Sequence, residues 1–128
     1  GADSLTVAVL HLALGKRARK QQLEFLAGKL ETAGRLIVMG DLNAPLSNPE
    51  TQAFCDRLEL ATPTRELPSY PSWQPQRAID HILLSRDMAT YDARIVEVDF
   101  SDHCPVELEV HLPEDMRLRP ALHPRVSL

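Results

Sequence analysis

Two short apolar segments separated by a helical stretch constrain the fold of this chain more than any other feature. Residues 5–12 (LTVAVLHL) and 35–39 (RLIVM) are nearly uninterrupted apolar runs, which are typical of strands buried on both faces. Between them, over residues 16–32, leucines recur every three or four positions, as in an amphipathic helix that packs on a sheet. Strand, helix and strand in this order predict a βαβ unit with two parallel strands.

The rest of the chain adds one helix and three strands to this unit. A helix is predicted over residues 49–58, with Asn48 as its N-cap and Pro49 at its first position. Strands are predicted over residues 79–84, 93–100 and 106–112, and the last alternates so that one of its faces meets solvent. The expected fold class is therefore α/β, with a mixed sheet flanked by helices. Residues 113–128 show prolines and no periodicity, which indicates a tail or arm.

Composition narrows the class of function. A chain of 128 residues with 44% hydrophobic residues suits one domain with a core. Its net charge of −4 argues against a nucleic-acid binder driven by charge alone, whereas acidic side chains suit divalent cations. The two cysteines form no CxxC pair, which indicates reduced thiols. No segment has the pattern of a membrane span or a signal peptide, so a cytoplasmic location is the default expectation.

Four polar clusters lie at or just after the ends of the predicted strands. They are residues 10–12 (LHL), 40–43 (GDLN), 79–82 (IDHI) and 101–106 (SDHCPV). Any one of them has an ordinary structural explanation, because an Asp after a strand often only caps a turn and a single His is often a core residue. Ligands of open α/β sheets bind beyond the carboxyl ends of strands, however, so four clusters in one small domain indicate a site.

Taken in order, these clusters resemble the signature of the endonuclease/exonuclease/phosphatase superfamily. The shared pattern is a strand-borne H-L, then G-D-x-N, then D-H within an apolar strand, then S-D-H-x-P-V. It runs from about Val7 to Leu112, within a domain predicted over residues 1–112. The resemblance implies one half, the C-terminal one, of a four-layered α/β sandwich. It also implies a phosphoester hydrolase that uses Mg²⁺ or Mn²⁺, most directly one that cleaves a small, lipid or nucleic-acid phosphodiester.

The same resemblance assigns roles at the catalytic centre. His103 would be the general base, and Asp80 would hydrogen-bond its other ring nitrogen and so fix its orientation. Asp41 would position the nucleophile or help hold the metal ion, and Asp102 would be a second carboxylate facing that ion. These residue types suit the chemistry, because an anionic phosphoester needs charge neutralisation and water needs a base.

Other residues are assigned to the substrate. Asn43 and His11 would contact phosphate oxygens and stabilise the charge that grows in the transition state. Trp73 lies in the loop before Asp80, where it could stack on a base or sugar, or simply plug the loop onto the sheet. Arg77 could contact phosphate or be a solvated surface charge. His81 is a neighbour of Asp80 on the opposite strand face, and a structural role is expected for it.

The sequence also departs from the family in one respect. Complete members are about twice as long, and the Asn and Glu that anchor the metal ion in their N-terminal half have no counterpart here. A half-sandwich exposes a sheet face, so we expect either a homodimer or pairing with a missing N-terminal half. The alternative is a non-catalytic fragment or binding module. A zinc site made of His103 and Cys104 has little support, because adjacent residues of a strand point apart and cannot both face one ion.

Overall fold

The computed structural model describes residues 4–114 and residue 116 as six strands and two helices. The elements in chain order are β1 (Leu5–His11), α1 (Lys16–Leu30), β2 (Arg35–Asp41), α2 (Pro49–Arg57), β3 (Leu60–Ala61), β4 (Asp80–Ser85), β5 (Ala89–Ile95) and β6 (Val106–His111). The two long predicted helices and the predicted βαβ unit are present.

Four strands form a mixed sheet in the order β1-β2-β4-β3. The first two strands pair in parallel, as the βαβ pattern predicts, and β4 pairs antiparallel with both β2 and β3. The α/β fold class with a mixed sheet is thereby confirmed. Strands β5 and β6 form a separate antiparallel pair rather than extending the sheet.

One face of the sheet is covered by both helices. Because strand residues alternate between faces, Leu36 and Val38 of β2 point to the helices, where they pack with Leu23 of α1 and Phe54 of α2. This cluster is the larger part of the core. It packs both helices on one face of the sheet, so the opposite face can be covered only by other elements.

The opposite face of the sheet is only partly covered. Around Ile37 and Leu84 it is buried beneath Leu108 and Val110 of β6. Towards the outer edge the cover ends, and Val7 and Val9 are 51% and 74% exposed. We call the uncovered part the open face; it consists of Val7 and Val9 from β1, with the half-buried Met39 and Ile82 beside them.

The open face corrects the prediction that β1 is buried on both faces. Its burial alternates along the strand, because only its inner face meets the helices. The apolar run nevertheless has a simple origin: the side chains that face away from the helices are also apolar. An uninterrupted apolar pattern therefore shows that both faces of a strand are apolar, but not whether both are covered within this chain.

The predicted strand over residues 93–100 is wrong in its bounds. The structure has β5 at Ala89–Ile95, and residues 96–100 are irregular. The ladder between β5 and β6 ends at the pair Ile95 and Val106, because the next residue of the partner strand is Pro105, which has no N–H to donate. The start of β5 was hidden by a register shift around Asp92, whose φ of 48° interrupts the alternation.

Three smaller predictions concern the remainder of the chain. Cys55 and Cys104 are free thiols, and both are buried. None of the helices in the described part combines the length and the apolar character that crossing a bilayer requires. The cytoplasmic location stays a prediction. The predicted tail of residues 113–128 lies almost wholly outside the described residues, so the division at residue 112 also stays a prediction.

Candidate active site

Three of the predicted site residues form one row across the sheet. The parallel pairing of β1 and β2 sets His11 beside Asp41, and the antiparallel pairing of β2 and β4 sets Asp41 beside Asp80. We call these three residues the site row. It continues the open face, because Val9, Met39 and Ile82 form the row two residues further along the same strands.

His103 reaches the site row from the loop that precedes β6. Its Nδ1 atom lies 2.6 Å from Oδ2 of Asp80. An ionised carboxylate only accepts hydrogen bonds, so Nδ1 carries the proton and the neutral ring has its free lone pair on Nε2. Nε2 lies 3.7 Å from Oδ2 of Asp41. The basic atom of His103 therefore faces the middle of the site row.

The surrounding carboxylates raise the pKa of His103. Burial by itself lowers this pKa, but the hydrogen bond to Asp80 and the negative charges of Asp80, Asp41 and Asp102 outweigh it. The side chain is 27% exposed, so it is sheltered yet still reached by solvent. Such a histidine is a stronger proton acceptor than one free in water.

The loop that carries His103 is tied to the loop that contains residues 69–72. The backbone N–H of Ser72 donates to the carbonyl of Asp102 (2.8 Å), and its hydroxyl donates to the carbonyl of Ser101 (2.6 Å). On the other side of His103, the N–H of Cys104 donates to the carbonyl of Ser69 (2.7 Å). These bonds hold both neighbours of His103 and so fix where its backbone lies.

Two residues of the site carried no signal in the sequence. The buried hydroxyl of Ser69 donates to Oδ2 of Asp80 over 2.5 Å. The ring of Tyr70 lies against that of His103, with centres 4.9 Å apart and planes inclined by 50°. Both lie in a segment rich in proline and serine, where neither periodicity nor a motif distinguishes them from other loop residues.

Asn43 ties the ends of β1 and β2 together. Its backbone N–H donates to Oδ1 of Asp41 (2.8 Å), and its side-chain Nδ2 donates to the carbonyl of Leu12 (2.5 Å). The residue has a φ of 50°, a conformation that asparagine tolerates better than most residues. One proton of the side-chain amide already has a partner, so only the other remains to donate to a further group.

The remaining predicted residues lie around this centre. His11 is 79% exposed, and its Nε2 is 3.7 Å from Oδ2 of Asp41. Asp102 is exposed beside His103. Arg77 is exposed and closes the loop after Tyr70 by backbone pairing, and Trp73 projects from that loop with 71% of its surface exposed. The interpretation of Trp73 as a plug on the sheet is therefore wrong.

The geometry identifies one group that suits a metal ion. Ligand atoms of Asp41, Asp80 and His103 lie within 4.8 Å of one another, and within the described ranges no other such group occurs. Oδ2 of Asp80 is bonded to Nδ1 of His103, and Oδ1 of Asp41 accepts from Asn43, which leaves Oδ2 of Asp41 as a carboxylate oxygen that can face an ion. Mg²⁺ commonly uses one or two carboxylates and completes its shell with water and phosphate, so this donor set fits it. Cys104 does not belong to the group, so the group is not the zinc site of His103 and Cys104 that the sequence indicates weakly.

A cleft of about 310 Å³ opens beside the group. Its walls include Val9, Met39 and Ile82 of the open face together with Asp41 and Asp80. The cleft is bounded on its other side by residues 104–106, which follow His103. The candidate site and the uncovered apolar surface are therefore continuous.

Several solved structures share this fold. A mannosyl-6-phosphatase from Bacteroides thetaiotaomicron is 19% identical, with a TM-score of 0.71 over 81% of this chain and 50% of its own. The human Nocturnin catalytic domain with bound sulfate is 23% identical, with a TM-score of 0.57 over 82% and 46% of the two chains. A Neisseria 3′ phosphatase bound to product DNA is 20% identical, with a TM-score of 0.56 over 76% and 53%.

The chain spans about half the length of the mannosyl-6-phosphatase and of other solved structures that resemble it well. No curated protein sequence matches it significantly. The sequence profile of the Endonuclease/Exonuclease/phosphatase family does match, over residues 6–103, and that range contains every predicted site residue. The resemblance that the four polar clusters predict is thereby confirmed, and this chain belongs to the endonuclease/exonuclease/phosphatase family.

Proposed function

We propose that this chain forms the catalytic half of a metal-dependent hydrolase that cleaves phosphoester bonds, most directly phosphodiesters. The observation that carries the proposal is the arrangement of His103 between two carboxylates. Asp80 holds its Nδ1 at 2.6 Å, and its free Nε2 faces Asp41 at 3.7 Å. A base oriented on one side and open on the other is what activation of a water molecule requires.

His103 is proposed to remove the proton from the attacking water. A water molecule within hydrogen-bond reach of Nε2 and of Asp41 would be positioned and polarised at once, and general-base catalysis of this kind contributes roughly 10²–10⁴-fold. Asp80 stabilises the imidazolium that results, because its carboxylate accepts a hydrogen bond from Nδ1–H in both protonation states of the ring.

Asp41 and Asp102 are proposed to hold Mg²⁺ or Mn²⁺. A bound ion of this kind would neutralise charge on the phosphoester. Asp41 lies at the centre of the site row, and the charge of Asp102 is close enough to raise the pKa of His103. The carboxylate of Asp102 lies outside the compact group of Asp41, Asp80 and His103, so it would reach an ion on the solvent side of that group.

Four further side chains are proposed to contact the substrate. His11 and the free amide proton of Asn43 would donate to phosphate oxygens at the ends of β1 and β2. Arg77 and the exposed Trp73 lie on the loop next to Tyr70, where they suit a second phosphate and a ring or apolar group. These contacts favour a phosphodiester with a substituent on each side of the phosphorus atom.

The experiment measures hydrolysis of an aryl phosphodiester by the chain with Mg²⁺ or Mn²⁺, with EDTA as the blank. The test variant is His103→Ala, and the matched control is His111→Ala, which removes an exposed imidazole at the far end of β6. We expect turnover that needs the metal ion, survives in the control and falls by at least about 10²-fold in His103→Ala. Turnover that persists in EDTA or in His103→Ala would overturn the mechanism.

We also propose that a second sheet layer covers the open face. The site row is continuous with exposed Val7 and Val9, and a Mg²⁺ site with so few protein oxygens gains from additional carboxylates. A second copy of the chain, packed about a two-fold axis, would supply such a layer. The other source is the remainder of a longer polypeptide, which the half-length match to the first related structures favours.

Light scattering at micromolar concentration distinguishes these sources. A dimer with metal-dependent turnover supports the second copy as the covering layer. A monomer without turnover supports the longer polypeptide and agrees with the alternative that these residues alone are a non-catalytic half. A monomer with full metal-dependent turnover would overturn the need for any second layer, while leaving the catalytic roles intact.

A further inference from the structure

Ser69 makes three hydrogen bonds that join the segments around the catalytic centre. Its N–H donates to the carbonyl of Arg77 (2.9 Å), and its own carbonyl accepts from the N–H of Cys104 (2.7 Å). Its hydroxyl donates to Oδ2 of Asp80 (2.5 Å). One fully buried residue therefore joins the segment that leads into β4, the loop that carries His103 and the carboxylate that orients it.

The hydroxyl bond constrains the oxygen atom that His103 uses. Oδ2 of Asp80 accepts both the Ser69 hydroxyl and Nδ1–H of His103, the second over 2.6 Å. A carboxylate on a single donor rotates about its last side-chain bond, whereas two donors from different directions fix the position of one oxygen. Both bonds are short and assisted by charge, so they are stronger than bonds between neutral groups.

A purely structural explanation of Ser69 accounts for less of the geometry. A buried hydroxyl needs one partner, and a neighbouring backbone carbonyl would serve. Ser69 instead donates to a carboxylate that is 18% exposed and bonded to the proposed base. Its neighbour Tyr70 lies on the ring of the same histidine. The two consecutive residues thus restrict His103 from two sides, one through Asp80 and one by direct contact.

We propose that Ser69 is a positioning residue that fixes the Asp80 carboxylate and thereby directs Nε2 of His103 towards the site row. The role rests on the proposed hydrolase function, since it acts on the proposed base. Ser69 is not itself expected to touch the substrate, because it is fully buried behind Asp80. Loss of its hydroxyl should reduce the rate of the chemical step and leave binding of the substrate unchanged.

The first experiment determines which ring nitrogen of His103 carries the proton, and it does not require turnover. Nitrogen-15 NMR of the histidine side chains, at a pH where His103 is neutral, distinguishes a ring protonated on Nδ1 from one protonated on Nε2. We expect a single Nδ1–H form in the unmodified chain, a mixture in Ser69→Ala and restoration of the single form in Ser69→Thr, which keeps the hydroxyl. The control is Ser85→Ala, which removes a hydroxyl bonded to the backbone of Leu36 near the opposite end of β4.

The second experiment measures kinetics with the aryl phosphodiester. Removal of a residue that orients a catalytic group costs about 10–100-fold in activity, and we expect this in kcat for Ser69→Ala with KM unchanged. Ser69→Thr should recover most of that loss.

A single Nδ1–H form in Ser69→Ala would overturn the proposal, and so would loss of kcat that Ser69→Thr does not restore. If the unmodified chain shows no turnover, the NMR comparison still decides the role of Ser69. Failure of the proposed hydrolase and failure of this inference are therefore distinguishable.

Discussion

Gly40 shows at the scale of one residue how closely β1 and β2 approach beside the site. It precedes Asp41 and has a φ of 138°, a conformation that side chains rarely adopt. A Cβ atom built on it would lie 1.9 Å from the carbonyl oxygen of Leu10, which is backbone and has no freedom to move aside. The glycine of the GDLN cluster is therefore a requirement of the sheet rather than of the chemistry.

Gly40→Ala is expected to destabilise the fold by about 2 kcal/mol or more, since it combines backbone strain with a clash. The free energy of unfolding in urea measures the loss. The matched control is Gly28→Ala in α1, where a Cβ would meet nothing within 4 Å, and this change should stabilise the helix by about 0.5–1 kcal/mol. Equal effects of the two substitutions would contradict the explanation.

His81 is a structural histidine, as the sequence predicts, and it makes stability depend on pH. It is 1% exposed, and its Nε2 donates to the carbonyl of Ala78 (2.9 Å) while Nδ1 accepts from the hydroxyl of Thr64 (3.0 Å). Burial lowers the pKa of His81 below its ordinary value of 6.5, although the bond to Ala78 and the charge of Asp80 oppose this in part. Protonation would place an imidazolium charge in the core and remove the acceptor that the Thr64 hydroxyl uses.

The stabilising contribution of neutral His81 is complete above about pH 6.5 and is lost as the pH falls towards its folded-state pKa. We expect His81→Gln to reduce the fall in unfolding free energy over that window, by up to about 1.4 kcal/mol per pH unit. His103 acts in the opposite sense, because its raised pKa makes its contribution complete below 6.5 and lost as the pH rises through the folded-state value. An unchanged slope in His81→Gln, measured against His111→Gln, would contradict the assignment.

The two helices are joined at the scale of elements by a buried ion pair. Arg19 of α1 lies 3.1 Å from Glu50 of α2, and their side chains are 6% and 4% exposed. Arg19 also donates to the carbonyl of Leu14 (2.7 Å), in the segment that leads from β1 into α1. This pair therefore fixes both the packing of the helices and the course of the chain after His11.

Glu50→Ala should cost about 3–5 kcal/mol, because it leaves the charge of Arg19 buried without its partner. The double variant Arg19→Met with Glu50→Leu should recover much of this loss, since apolar residues often replace a buried pair at little cost. The exposed pair Lys20 and Glu24, at 4.0 Å, is the control, and Glu24→Ala should change stability by less than about 1 kcal/mol. Urea unfolding that ranks the two pairs equally would exclude this explanation.

The elements also show where the sequence was informative. Strands β1 and β2 follow from short apolar runs, β6 from its alternation, α1 from the spacing of its leucines and α2 from the capping residues Asn48 and Pro49. The strand β5 was misplaced, because the register shift around Asp92 and the lack of a donor at Pro105 act through the partner strand. The pairing of His103 with Asp80 was expected from the family motif, whereas Ser69 and Tyr70 are linked to it only by tertiary contacts that no spacing in the sequence records.

For the whole molecule, the open face makes a prediction about association. Val9→Lys places a charge on a side chain that is already 74% exposed, so the unfolding free energy of the chain should change by less than about 0.5 kcal/mol. Any complex formed through the open face should dissociate, because a charge would be buried against an apolar layer. Light scattering checks association, with Ala53→Lys on the exposed surface of α2, on the helix-covered side of the sheet, as the control. Equal association by both variants would exclude the open face as an interface.

The site row has a consequence for how this domain can change over evolutionary time. His11, Asp41 and Asp80 are neighbours only because three strands pair in one particular register. Inserting a single residue into β2 would turn the following side chain to the helix-covered side and separate the trio, even if the sheet still formed. Insertions in the loops between strands leave that register untouched. Substrate preference is therefore free to diverge through loop length, while the strands tolerate substitutions but not changes in the number of residues.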